Sequence, residues 1–135
     1  MIHVGVSSQA QGVVLEEVSC NEGYQRGDVV NKVPGCNKCI INCKDPILKT
    51  RFNTKDIIKD LNDQEWNDMR VSASKDAGRY LCEFVYYKSL SQTKGSSLFI
   101  HVPPLSDKHT DKKLAKAICF IVKGALKQIL GSSKK

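Results

Sequence analysis

Residues 69–104, MRVSASKDAGRYLCEFVYYKSLSQTKGSSLFIHVPP, carry the pattern that decides the fold. Polar and apolar side chains alternate over residues 69–74 as in a β-strand, and a tight turn at residues 76–78 leads into a helix predicted over residues 80–92. Residues 98–102 form a continuous apolar run, which is typical of a strand buried on both faces. This order of strand, helix and strand predicts an α/β domain with parallel strands.

The rest of the chain predicts further elements around this unit. Residues 2–6 predict a strand, and the glycine within its apolar run suggests a buried strand that other backbone approaches closely. Residues 53–61 predict a short helix, and residues 111–130 predict a long amphipathic helix. Residues 19–50 show neither helical nor strand periodicity and predict a long irregular segment with at most short strands.

Helical spacing also predicts which side chains face inward. In the last helix we expect Cys119 and Phe120 to be packing residues and Gly131 to close the helix. The expected inner face of the helix at residues 80–92 comprises Leu81, Phe84, Val85, Tyr87 and Leu90.

The composition is that of an ordinary globular chain with an excess of positive charge. The chain has 135 residues, 41% of them hydrophobic, which predicts a single domain over residues 1–135. It carries 21 Lys+Arg against 14 Asp+Glu, a net charge of +7, but the lysines are spread along the chain without interleaved aromatic residues. We therefore expect a solvated lysine-rich surface and no binding to nucleic acid.

Several features point to a reducing compartment, with the cytoplasm as the expected location. The first residues lack the basic segment, apolar stretch and cleavage motif of a signal peptide. The longest apolar stretch, residues 114–130, is interrupted by three lysines, so no membrane span is predicted. Six cysteines without a signal peptide indicate thiols that are free, catalytic or metal-bound rather than a disulfide framework.

Cys82 and His101 are the residues that suggest chemistry. Cys82 lies in the first turn of a predicted helix, where the free backbone N–H groups and the helix dipole favour an anion and lower a thiol pKa. His101 lies at the carboxyl end of a buried strand, where active-site residues gather in α/β sheets. If the strands that precede Cys82 and carry His101 are neighbours, the two side chains form a thiolate–imidazolium pair. The alternatives are a buried structural cysteine and a hydrogen-bonded core histidine.

A cysteine–histidine pair usually needs a third group that orients the imidazole. Glu16 follows the short apolar run at residues 13–15 and is the preferred carboxylate. Glu17 is expected to point to the opposite face of that strand, and Asp76 to serve as a turn or helix-capping residue.

The cysteines at positions 36, 39 and 43 form a separate cluster. Thiolates this close together can bind zinc, but a structural zinc site needs a fourth ligand, for which Cys20 or His109 are the candidates. Reduced loop thiols are the preferred interpretation, and we predict neither a metal nor a cofactor.

Three segments together resemble a known family. The motif SxDAGxYLC at residues 74–82, with the aromatic residues that follow it, closely resembles the active-site cysteine segment of pyroglutamyl peptidase I. The stretch HVPPL at residues 101–105 resembles the histidine segment of that family, and residues 3–24 resemble its glutamate segment. The resemblance runs from residue 2 to residue 130 and is weakest in the cysteine-rich stretch.

The resemblance implies a three-layer α/β/α fold with a mostly parallel sheet and a cysteine-type omega-peptidase. It implies that Cys82 is the nucleophile, that His101 is the general base and then the acid, and that Glu16 orients His101. Tyr80 and Leu81 correspond to residues that line the pyroglutamate pocket. Arg26 lies where bacterial members carry an arginine that supports the oxyanion. The implied substrates are small peptides with an N-terminal pyroglutamate.

The sequence departs from the family in its opening segment. The first strand of the family and its Gly-Phe-Gly-Pro-Phe-like loop, whose phenylalanines sandwich the pyroglutamate ring, have no counterpart in these residues. We therefore expect an N-terminally truncated, partial domain whose sheet lacks the family's N-terminal strand or strands and exposes apolar surface. The alternative function is that of a catalytically impaired isoform or paralogue, acting as a non-enzymatic interaction protein through an exposed sheet edge.

Overall fold

The computed structural model describes residues 1–65 and 68–132. The polar stretch at residues 62–67 predicts a connector, of which Trp66 and Asn67 lie outside the described residues, as do residues 133–135 with the terminal Lys134-Lys135 pair. The strands are β1 (Ile2–Val6), β2 (Val13–Glu16), β3 (Val18–Cys20), β4 (Ile47–Lys49), β5 (Val71–Ser74) and β6 (Leu98–Val102). The helices are α1 (Thr54–Asn62), α2 (Leu81–Gln92) and α3 (Asp111–Ser132), and a 3₁₀ turn spans Gly35–Asn37.

The central sheet has four strands in the order β1-β6-β2-β5. β1 pairs in parallel with β6, and β2 pairs in parallel with β5, whereas β2 and β6 are antiparallel. Two of the three neighbouring pairs are therefore parallel, as expected for a mostly parallel sheet. The condition that β5 and β6 are neighbours is not met, because β2 lies between them.

One face of the sheet is covered by α1 and α3. These two helices pack on the inward apolar side chains of all three strands from β6 to β5, and together they form the largest core of the protein. The strand residues in this core include Val13, Leu15, Val71, Leu98, Ile100 and Val102, and the helix residues include Ile57, Leu61, Leu114, Ala117, Ile121 and Ala125. Burial of this apolar stripe is the main driving force that places α3 along the sheet.

The opposite face is covered by α2 and by the two-stranded ribbon of β3 and β4. Tyr86 and Leu90 of α2 pack on Phe99 of β6, which completes the expected three-layer α/β/α arrangement. The predicted inner face of α2 is wrong at Leu81 and Val85, which are 42% and 46% exposed. Apolar residues occur all around this helix, so the spacing alone does not select the face that contacts the sheet.

Two further expectations are corrected at the ends of the chain. β1 is an edge strand of the described sheet rather than a buried one, and its Val4 and Val6 are exposed on the side of α1 and α3. α3 continues through Gly131 to Ser132. Cys119 is exposed rather than packed, because it lies off the buried stripe of that helix, whereas Phe120 does pack against the core.

No helix within residues 1–65 and 68–132 is long and apolar enough to cross a membrane.

Candidate active site

Glu16 and His101 form a buried pair at the centre of the sheet. Strands β2 and β6 are antiparallel, and Glu16 lies opposite Phe99. His101 is two residues from Phe99 on β6, so the side chains of Glu16 and His101 project from the same face of the sheet, the one that α2 covers. Nδ1 of His101 lies 2.8 Å from Oε1 of Glu16, and the two residues are 7% and 2% exposed. Because a carboxylate only accepts hydrogen bonds, Nδ1–H donates to Glu16 and leaves Nε2 as the free, basic nitrogen.

The second oxygen of Glu16 is buried without a protein partner. Oε2 of Glu16 has no hydrogen bond within the part of the chain that the structure describes. Tyr86 donates its hydroxyl to the backbone oxygen of Glu16 at 2.8 Å, which anchors the end of β2 against α2. Among the described residues, the side chain of Glu16 therefore has one hydrogen-bond partner, His101. Its negative charge also affects the ionisation of Cys82.

Cys82 is the second residue of α2 and faces the same side of the sheet. The turn before the helix uses positive φ angles at Gly78 (+102°) and Arg79 (+52°), which the glycine accepts without strain. The N-cap residue Tyr80 makes no side-chain cap, so the N–H groups of the first turn, including that of Cys82, stay available for an anion.

The surroundings of the thiol oppose its ionisation. Burial raises the pKa of Cys82, and the charge of Glu16 raises this pKa further. The sequence predicted a lowered pKa from the helix N-terminus, and that prediction is wrong for the chain without a substrate. At neutral pH the thiol is therefore protonated and needs a base before it can act as a nucleophile.

Cys82 and His101 share neighbours in Gly5 and in the cluster that contains Phe99. Cys82 packs against the cluster of Tyr86, Leu90 and Phe99, and its Sγ lies 3.0 Å from the position that a Cβ atom on Gly5 would occupy. Gly5 is the β1 partner of His101, and the rings of Phe99 and His101 have centroids 4.8 Å apart. All three candidate residues thus lie on one face of the sheet, but no hydrogen bond joins the thiol to the imidazole among the described residues.

A buried carboxylate that the sequence analysis missed holds the turn before Cys82. Glu83 is fully buried and accepts hydrogen bonds from the backbone N–H of Cys20, at 2.7 Å, and from that of Arg79. The Arg79 guanidinium lies 3.2 Å from Glu83 and 3.2 Å from Asp76. Asp76 also accepts from the backbone N–H of Gly78, as expected of a turn residue. A carboxylate on an otherwise mostly apolar helix was the signal that could have identified Glu83.

Comparison with known proteins assigns this arrangement to a family. A family model described as "Putative pyroglutamyl peptidase PgaPase_1" matches residues 1–106. The chain belongs to the pyroglutamyl peptidase family. It is 37% identical over 134 residues to pyroglutamyl-peptidase 1 of Mus musculus, covering 97% of this chain and 63% of that protein. It is 32% identical to the pyroglutamyl-peptidase 1-like protein of Homo sapiens, covering 96% of this chain and 64% of that protein. The chain thus spans less than two thirds of these relatives.

Solved structures of the pyroglutamyl peptidase family have the same fold. Pyrrolidone carboxyl peptidase from Thermococcus litoralis matches with a TM-score of 0.81 and 22% identity, covering 97% of this chain and 67% of that one. A mutant pyrrolidone carboxyl peptidase from Pyrococcus furiosus matches with a TM-score of 0.78 and 21% identity, covering 95% of this chain and 69% of that one. These likenesses confirm the predicted α/β architecture.

Tyr80, Leu81 and Arg26 lie together beside the start of α2. The Arg26 guanidinium stacks over the Tyr80 ring at 4.0 Å from its centroid. All three residues line a cavity of about 240 Å³. A second, more polar cleft of about 380 Å³ contains Glu16 and His101 and is lined on its far side by the end of β5 and the turn that follows.

The cysteine-rich loop at residues 36–43 contacts α2. Cys39 donates to the backbone oxygen of Phe84 at 3.2 Å, and Cys43 lies 3.2 Å from the Tyr87 hydroxyl. Burial raises the pKa of Cys39 to about 11, so its thiol is protonated at neutral pH. All six cysteines are free, and no group of three or more His, Cys, Asp or Glu side chains within residues 1–65 and 68–132 is placed to hold a metal ion.

Proposed function

We propose that this chain is a cysteine-type omega-peptidase that removes N-terminal pyroglutamate from small peptides. The observation that carries the proposal is the buried Glu16–His101 hydrogen bond on the face that Cys82 reaches, in a chain of the pyroglutamyl peptidase family. We include residues 1–135 in one domain and propose the cytoplasm as its location, a proposal that the six free cysteines support.

In the proposed reaction, Nε2 of His101 removes the proton from the Cys82 thiol, and Glu16 stabilises the imidazolium that forms. The thiolate sulfur then bonds to the carbonyl carbon of the pyroglutamyl residue. The first-turn N–H groups of α2, including that of Cys82, stabilise the oxyanion, and Arg26 supports it from the side. Collapse of this intermediate breaks the scissile C–N bond, and the imidazolium gives its proton to the departing amine.

Water completes the proposed cycle. His101 removes a proton from a water molecule whose oxygen bonds to the thioester carbon, the C–S bond breaks, and the sulfur regains a proton. Pyroglutamate is released and the thiol is restored. Tyr80 and Leu81 are the proposed substrate-binding residues. Because the thiol is protonated and not yet bonded to the imidazole, we propose that substrate binding brings Cys82 and His101 into hydrogen-bond contact.

Hydrolysis of a fluorogenic pyroglutamyl amide tests this function. We expect turnover by the unmodified chain, a loss of at least about a thousandfold in Cys82→Ala, and inhibition by a thiol alkylator. Cys119→Ala is the matched control, because Cys119 is exposed on α3, on the other side of the sheet. Turnover that persists in Cys82→Ala would contradict the assignment of the nucleophile.

The second candidate function is a non-enzymatic interaction protein of the same family. The observation that favours it is the β1 edge of the described sheet, where Val4 and Val6 are 48% and 66% exposed and no charged residue or proline blocks strand pairing. Thermal unfolding with a pyroglutamate-like inhibitor separates the two functions. A raised melting temperature supports a formed substrate pocket, and an unchanged one together with absent turnover supports the interaction protein.

A further inference from the structure

The cleft that contains His101 continues into a second cleft along β2 and β5. The first cleft, of about 380 Å³, is lined by Glu16, by His101 and by the turn that follows β5. The second cleft, of about 210 Å³, is lined by Arg70. Four residues line both clefts, namely Gln9, Ala10, Val14 and Ser72. The two clefts therefore form one groove from His101 to Arg70, which we call the β2–β5 groove.

The alternation of side chains along β5 gives this groove its floor. Val71 packs into the core with α1 and α3, so Arg70, Ser72 and Ser74 project from the opposite face of the sheet. The backbone oxygen of Arg70 accepts from the N–H of Val13 at 2.9 Å, so the parallel pairing with β2 extends to Arg70. Ser72 and Ser74 are half-buried, and their short side chains leave room above the strands for an extended peptide.

The proposed reaction leads the departing part of the substrate into this groove. His101 gives its proton to the departing amine, so the nitrogen of the scissile bond must come within hydrogen-bond reach of Nε2. Tyr80 and Leu81, the proposed pyroglutamate-binding residues, line the cavity beside the start of α2. Among the described residues, that cavity shares no lining residue with the β2–β5 groove. The chain that follows the scissile bond therefore continues from His101 along the groove, away from the pyroglutamyl residue.

The charges that line the groove change sign along its length. Glu16 and Asp76 line the first cleft, and Oε2 of Glu16 is buried without a partner among the described residues. Within residues 1–65 and 68–132, Arg70 is the only lysine or arginine that lines the groove, and no carboxylate lies within 4 Å of its guanidinium. A leaving peptide has its amine beside His101 and its carboxylate at the other end. This polarity matches that of the groove.

The register of the sheet sets the length of peptide that reaches Arg70. Val14 lies opposite His101 on one side and beside Ser72 on the other, and Arg70 is two residues before Ser72. Strands about 4.8 Å apart and a rise of about 3.3 Å per residue place the Cα atoms of His101 and Arg70 about 12 Å apart. An extended peptide covers this distance with about three or four residues.

We propose that the β2–β5 groove binds the leaving part of the substrate as an extended chain, and that Arg70 binds its C-terminal carboxylate when this part is about three residues long. This inference rests on the proposed peptidase function. It makes Arg70 a specificity-determining residue that favours short peptides with a free C-terminus over their amides. A planar guanidinium suits this role, because its N–H donors can bind both oxygens of one carboxylate.

Pyroglutamyl peptides with one, three or six alanines, each as the free acid and as the amide, test the inference. Release of pyroglutamate, followed by mass spectrometry, gives kcat/KM for every peptide. We expect the acid to exceed the amide by about threefold to tenfold at three alanines, since Arg70 is exposed. The ratio should be smaller at one and at six alanines, because the carboxylate then falls short of Arg70 or passes beyond it. It should also decline when NaCl is raised from about 20 mM to about 500 mM.

The variant Arg70→Gln should bring the acid-to-amide ratio at three alanines close to one. The ratio compares two substrates of the same variant, so a general change in activity does not alter it. Arg51→Gln is the matched control and should keep the ratio of the unmodified chain. Arg51 is also exposed, but it lies beside Gly95, beyond the far end of α2.

Three outcomes would contradict the inference. A ratio that is the same at all three lengths, or that persists in Arg70→Gln, would indicate general attraction to a chain of net charge +7 and would overturn it. Equal turnover of acids and amides at every length would overturn it and leave the peptidase function intact. Turnover of none of the six peptides would overturn the peptidase function and this inference with it.

Discussion

At the scale of single residues, Glu16 acts on its two proposed catalytic partners in different ways. It accepts a hydrogen bond from Nδ1 of His101, which orients the imidazole. Its charge also raises the pKa of the Cys82 thiol, which disfavours the thiolate. In the proposed reaction the thiol therefore ionises by passing its proton to His101.

The change Glu16→Gln separates these two effects. Removing the negative charge lowers the pKa of Cys82, so the thiolate fraction at a given pH rises and alkylation of Cys82 by iodoacetamide shifts towards lower pH. Peptidase turnover should fall by about a hundredfold or more, because the glutamine amide can donate as well as accept a hydrogen bond and so no longer fixes the tautomer of the imidazole. Peptide mapping by mass spectrometry measures the alkylation of Cys82 among the other cysteines.

Glu17→Gln is the control for that prediction. Oε1 of Glu17 accepts from the Thr54 hydroxyl at 2.6 Å, on the side of α1, as expected for the opposite face of the strand. Its replacement should leave the alkylation profile of Cys82 unchanged. The same shift in both variants, or none in either, would contradict a specific effect of Glu16.

At the scale of elements, the turn before α2 depends on the buried Glu83 carboxylate. This carboxylate ties α2 to β3 through the Cys20 N–H and to the turn through Arg79. Ser19 of β3 also donates its hydroxyl to the backbone oxygen of Glu83 at 2.9 Å. The start of α2, and with it Cys82, is therefore positioned by hydrogen bonds rather than by apolar packing alone.

Glu83→Leu should destabilise the fold by about 2–4 kcal/mol, because it leaves two part-buried N–H donors without their acceptor and removes one of the two carboxylates beside the Arg79 guanidinium. Urea unfolding measures this loss. Glu22→Leu is the control, since its carboxylate is 60% exposed and pairs with Lys38 at the surface, and we expect little change there. Similar midpoints for the two variants would contradict the structural role of Glu83.

At the scale of the whole molecule, the strands of the two sheets differ in burial and in the number of strands that they pair with. β6 is buried along its entire length and is paired on both sides, whereas β1 is an edge of the described sheet. The ribbon of β3 and β4 is only two strands wide and rests on α2. We therefore expect the free energy of local opening to decrease from β6 towards the edge strand and the ribbon.

Hydrogen exchange followed by mass spectrometry measures this gradient. The amides of Leu98–Val102 should exchange slowest, through opening of the whole domain, and those of Ile47–Lys49 should exchange much faster through local opening. A two-stranded ribbon has few cross-strand bonds to resist local opening. Equal protection of both strands would show that the ribbon opens only with the central sheet.

The linear sequence by itself determined most of the secondary-structure elements and the family of the chain. The apolar run at residues 98–102, the helical spacing in α1 and α3, and the cysteine just after a glycine turn are local patterns, and each is found in the structure. The motifs around Cys82 and His101 also identified the family, which the comparisons confirm. These elements can be predicted from the sequence because the side-chain periodicity of a helix or a strand repeats within a few residues.

Only the tertiary structure decided how these elements meet. The insertion of β2 between β5 and β6 places Glu16 beside His101, and no sequence pattern specifies which strands are neighbours. The inner face of α2 is chosen by its contacts with β3 and β6, since its apolar residues occur on every side. The raised pKa of Cys82 depends on burial and on a carboxylate that is distant in the chain. These features arise from long-range contacts, which form only when the whole chain has folded.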